Sequence, residues 1–65
     1  MTAEEFNRWL ADMRASGRAR NIQEAGRLIG RKPDMMTKYR KHGADQTVAM
    51  ACAAALAGLS PYTVD

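Results

Sequence analysis

The sequence predicts an all-α protein, with four short helices packed as one compact domain. Three observations carry that prediction. Apolar residues recur at spacings of three and four, the period of a helix buried along one face. Each such stretch is bracketed by a residue that starts helices and a glycine that stops them. No stretch alternates apolar and polar residues as a half-buried strand does.

The elements follow in order. Thr2 with Glu5 three residues later has the form of a capping box and opens the first helix. Phe6, Trp9, Leu10 and Met13 then form one apolar stripe, and Ser16-Gly17 ends the helix. A domain this small needs its large apolar residues inside, so the stripe is expected to be core. Asn21 is a good N-cap for a second helix, with Ile22, Ala25, Leu28 and Ile29 as its buried face and Gly30 as its stop. Pro33 suits the first position of a third helix, and Asp34 suits its positive end. Met35 or Met36, then Tyr39, supply its apolar contacts, and Gly43 stops it. Asp45 or Gln46 opens a fourth helix, which runs through TVAMACAAALA (47–57) to Gly58. That segment is apolar on every side, so more than one of its faces calls for burial. Pro61 keeps the tail LSPYTVD out of it.

Length and composition bound the function. With 65 residues the chain is read as a single domain, 1–65, with the functional segment at 21–42 and an association helix and tail at 46–65. A domain of this size buries only about 60% of the surface its unfolded chain exposes, so a partner subunit would help it. Cys52 is alone and cannot form an internal disulfide. No apolar run approaches the ~20 residues that span a membrane. The start, MTAEEF, lacks the basic and apolar regions of a signal peptide, and the expected location is the cytoplasm.

Charge is distributed unevenly. Arg14, Arg18, Arg20, Arg27, Arg31, Lys32, Lys38, Arg40 and Lys41 stand against only Glu24 and Asp34, a net +7 over residues 14–42. The flanking segments are each net −2, and the whole chain is +3. Such concentration is the footprint of a polyanion partner, set against the plainer reading of a solvated charged face. Catalysis is not expected. His42, the sole histidine, has no cysteine near it and no carboxylate at catalytic spacing, and a zinc site would need three or four ligands. Cys52 lies in an apolar helix, where thiols are usually inert packing groups. No metal, cofactor or small-molecule substrate is expected.

Two short helices joined by a tight turn, the second one basic, form a helix-turn-helix pattern. The stretch is IQEAGRLIGRKPDMMTKY, residues 22–39. Gly26 falls where the two helices cross, Gly30 makes the turn, and Met36 plugs the second helix onto the first, with Ala25, Ile29 and Tyr39 in the adjoining inward positions. With Gly26, Gly30 and Met36 at these spacings, the stretch resembles the Cro and λ-repressor-like helix-turn-helix family. It departs from that family at Arg31, where an apolar residue is usual, and at Ile22, where many members carry a polar contact residue. The fourth helix and its SPYT ending also look like small phage and prophage regulators, including anti-CRISPR-associated repressors.

The resemblance implies a repressor that binds double-stranded DNA as a homodimer at an inverted-repeat operator, in its narrowest form the autorepressor of an anti-CRISPR operon. The third helix would enter the major groove by its N-terminal end. Asp34, Thr37 and Lys38 are then expected at base edges. Arg20, Asn21, Gln23, Arg31, Lys32, Arg40 and Lys41 are expected at phosphates, which fix register without reading sequence. Val48, Ala51, Cys52, Ala55, Leu59 and Tyr62 are expected at the dimer interface. The alternative is a protein-interaction module on the same fold, such as an antitoxin or a phage protein that binds a host protein. RNA binding is a weaker third choice, because exposed aromatics for stacking bases are scarce.

Overall fold

The computed structural model describes residues 1–63 and is all-α. Its four helices are α1 (Ala3–Ala15), α2 (Ile22–Ile29), α3 (Pro33–His42) and α4 (Gln46–Leu56). Local chemistry sets each start. Thr2 Oγ1 accepts from the Glu5 N–H at 3.1 Å, and the Glu5 carboxylate accepts from the Thr2 N–H at 2.7 Å, which completes the capping box. Those bonds, led by the Thr2 backbone N–H, hold the Glu5 carboxyl below its ordinary pKa. Asn21 caps α2 through the Glu24 N–H, and Asp45 caps α4 through the Val48 N–H, each at 2.9 Å.

Helix α1 packs against α2, α3 and α4, and α2 packs against α3 and α4, so every helix shares one core. Phe6, Trp9, Met13, Ala19, Ala25, Ile29, Met36, Tyr39, Val48 and Cys52 fill it. Phe6 lies at its centre. Its ring centroid is 5.4 Å from that of Trp9 and 5.4 Å from that of Tyr39, the latter edge-on, the offset geometry that aromatic quadrupoles favour. The Trp9 indole N–H donates to the Cys52 carbonyl at 2.9 Å, which ties α1 to α4 and satisfies the buried indole.

Three expectations about burial are corrected. Leu28, expected inside, is 51% exposed. Ala25, Gly26 and Ile29 set the inward direction of α2, and Leu28 falls about 110° from the centre of that stripe at 100° per residue. Val48 and Cys52, expected at a dimer interface, are each 1% exposed. One turn apart on α4, they are the stripe that this helix turns into the protomer's own core. Burial also pushes the Cys52 thiol pKa up to about 11. Of the other expected interface residues, Ala51 and Ala55 are half-buried, while Leu59 and Tyr62 are exposed. Positions 64 and 65 of the expected association tail lie outside the described residues. Among the described residues, no helix is long and apolar enough to cross a membrane.

Candidate nucleic-acid interface

The turn between α2 and α3 is short and tightly closed. Gly30 adopts φ 70°, ψ 34°, the left-handed region that costs a residue with a Cβ about 1–2 kcal/mol. The Arg31 N–H then returns to the Gly26 carbonyl at 2.8 Å. Gly26 is where the two helices meet. A Cβ added there would stand 2.8 Å from the Arg31 carbonyl oxygen and 3.2 Å from Met36 Cγ. The small residue, the turn glycine and the plugging methionine therefore stand in the mutual arrangement their spacing implied.

Arg31 directly follows the turn glycine. It is half-buried, its Nε donates to the Tyr39 hydroxyl at 3.2 Å, and its Nη1 donates to the Gly30 carbonyl at 3.2 Å. It braces the turn against α3 and satisfies Tyr39, which spends two of its five N–H donors and leaves three toward a phosphate. Arg20 is likewise partly committed. Its Nε and Nη2 both donate to Glu24 Oε2, at 2.9 and 2.7 Å, and its backbone N–H donates to Oε1 of the same carboxylate at 2.8 Å. That pairing holds the Glu24 carboxyl below its ordinary pKa and raises the Arg20 guanidinium. The expected phosphate role of Arg20 is thus offset by a neighbouring negative charge. Asn21 spends its Oδ1 on the α2 cap, while Gln23 is exposed beside it.

Helix α3 keeps Met36 and Tyr39 inward and presents Asp34, Thr37, Lys38 and Lys41 outward. These four lie at i, i+3, i+4 and i+7, on a single stripe. Lys41 therefore shares the face of the three expected base readers. Thr37 donates its hydroxyl to the Pro33 carbonyl at 3.1 Å, which leaves its oxygen as an acceptor toward solvent. Lys32 occupies the N-cap of α3 without a side-chain cap bond, so the first N–H groups of that helix stay open. Among the described residues, the one ion pair is Arg20–Glu24, and Lys32, Lys38 and Lys41 are unpaired. The outward stripe is a cationic surface bearing one carboxylate, Asp34.

Asn7 of α1 joins this surface, and sequence reasoning missed it. Its Nδ2 donates to the Arg40 carbonyl at 3.0 Å and to the Ala3 carbonyl at 2.9 Å, and its Oδ1 accepts from Arg40 Nε at 3.1 Å. Arg40 is held at the edge of the α3 stripe. It lines both an open cleft of about 280 Å³, with Asn7, Thr37 and Lys41, and an open groove of about 680 Å³ that includes Leu10, Arg14 and Asn21. The pairing spans 33 positions, and its one trace in the sequence is a polar residue set between Phe6 and Leu10.

Leu28, Ala51, Ala54, Ala55, Leu59 and Pro61, with Arg27, Gly30 and Ser60 at its edges, line a mainly apolar recess between α2, the end of α4 and the tail. Arg18 lies over Gly58 just beyond the α4 C-terminus, where a cation meets the negative end of the helix dipole. Comparison with protein-family models, with curated proteins and with solved structures yields no match to this chain. The functional reading accordingly rests on the residues themselves.

Proposed function

We propose that this chain is a sequence-specific repressor of the phage or prophage kind that binds double-stranded DNA as a homodimer in the cytoplasm. The carrying observation is the outward stripe Asp34, Thr37, Lys38 and Lys41 on α3, whose lysines have no acidic partner among the described residues. Placed in a major groove, Lys38 donates to guanine, Asp34 accepts from cytosine, and Thr37 accepts a hydrogen bond or meets a thymine methyl. Lys32, Arg40 and Lys41 neutralise phosphates on either side. The tight turn supports this reading because Gly26, Gly30 and Met36 fix the angle at which α3 leaves α2. With about 34 Å between recognition helices in a two-fold dimer, two copies read successive turns of one DNA face.

The proposed dimer surface is the recess lined by Ala51, Ala55, Leu59 and Leu28, with the tail through Tyr62. Val48 and Cys52 support it from inside the protomer. Selecting bound sequences from a random duplex library tests the proposal. An inverted repeat with half-sites about one helical turn apart is the expected product. A pool that shows no enrichment over its input overturns sequence-specific recognition.

The exposed apolar residues Leu28, Met50, Leu59 and Tyr62 also favour a second reading, a module that binds another protein through this side. That reading predicts a selection without enrichment together with a wild-type chain that is monomeric in solution.

A further inference from the structure

We infer that the cleft between α1 and α3 is a phosphodiester seat in which Arg40 is the ligand-binding group and Asn7 is its positioning residue. This rests on the DNA-binding reading and gives α1 a supporting role behind the contact surface. The inference starts from the end of α3. The last four carbonyls of a helix have no partner within it, and Arg40 contributes one of them. Asn7 supplies the missing donor at 3.0 Å. The same amide accepts from Arg40 Nε at 3.1 Å, so backbone and side chain of one residue are held by one partner.

The donor inventory of this pair then assigns the roles. Both hydrogens of Asn7 Nδ2 are spent, on Ala3 and on Arg40, and its oxygen is occupied. Asn7 therefore has no donor left for a phosphate. Arg40 has spent one of five N–H donors, and the remaining four form the planar fork that matches two oxygens of a phosphate. Thr37, whose hydroxyl proton is on Pro33, forms a wall of the cleft, and Lys41 supplies a second positive charge there. No carboxylate lines the cleft. The opening of about 280 Å³ has ample room for a phosphate. A held guanidinium loses less side-chain entropy on binding than a free one, which is what positioning contributes.

Fluorescence anisotropy with a random 20-base-pair duplex, across a salt series, tests this with Arg40→Ala, Asn7→Ala and the double variant. Arg40→Ala is expected to weaken binding about tenfold and to lower the salt slope by about one. Asn7→Ala is expected to weaken binding of the wild-type background severalfold and to add nothing in the Arg40→Ala background. A merely structural Asn7 would cost the same factor in both, and that result overturns the positioning role. Nitrogen-15 spectra of the unmutated chain guard against a variant that fails to fold. The Arg40 Nε–H signal is expected to shift when a 12-base-pair duplex is added, and an unmoved signal overturns the seat. Wild-type binding with Arg40→Ala unchanged removes the seat alone. Absence of any wild-type binding at low salt removes the DNA reading with it.

Discussion

Replacing Gly26 by Ala sets two effects of known size against each other. In an isolated helix, Ala in place of an interior Gly stabilises by about 1 kcal/mol. Here the added Cβ would stand 2.8 Å from the Arg31 carbonyl oxygen and 3.2 Å from Met36 Cγ. The methionine can yield by rotating, but the carbonyl belongs to a residue whose own N–H is bonded to Gly26. Relief therefore requires the turn, and α3 behind it, to move. Overpacking of this kind costs about 1–3 kcal/mol, so the steric effect wins by about 1 kcal/mol at the middle of its range. In a domain of this size that lowers Tm by about 4–8 °C. Gly30→Ala provides the contrast, because no atom lies within 4 Å of its added Cβ and only backbone strain opposes it. Thermal unfolding by circular dichroism checks both. A Gly26→Ala protein with Tm at or above wild type would refute the close approach of α2 and the turn.

Other expectations concern recognition, assembly and the buried thiol. Lys38→Ala should cost about 1–3 kcal/mol on the preferred site and relax preference at particular base pairs, whereas Lys41→Ala should weaken all sequences alike and lower the salt slope by about one. Leu59→Glu should convert a dimer to monomer in sedimentation with helical content unchanged, because Leu59 is 66% exposed at the recess. A wild type that sediments as a monomer at micromolar concentration and still binds one half-site at full affinity contradicts the dimer. Cys52 should resist thiol reagents until the chain unfolds, being 1% exposed. Its folded pKa is raised from 9.0 to about 11, so the unfolded chain loses the proton first. The contribution of Cys52 is thus fully present below pH 9 and is lost as pH rises toward 11. Urea titrations at several pH values should show that decline in wild type and a flatter one in Cys52→Ala.

The helix boundaries were legible because their causes are local. Thr2 with Glu5, Asn21 before Ile22, and Gly30 act within three or four residues, so the chain displays cause and effect together. The inward positions Gly26, Met36 and Tyr39 were legible for the same reason, since helical period fixes them relative to one another. Leu28 was not, because period gives a stripe but not how far it rotates toward α4. Val48 and Cys52 were assigned outward because α4 is apolar on all sides, and only the packing of Trp9 against Cys52 fixes which side is core. Arg20, Arg31 and Arg40 read alike as basic residues. What separates them is their partners, Glu24, Tyr39 and Asn7. The last two bonds join different elements, and the choice of Glu24 by Arg20 depends on the loop geometry before α2.

The salt dependence of binding to duplex DNA tests the central claim most directly. A dimer that neutralises about six to ten phosphates should bind at 50 mM salt and lose about 10³–10⁵ in affinity by 200 mM. Binding absent at 50 mM, or unchanged across that range, would contradict the assignment of the α3 face to nucleic acid.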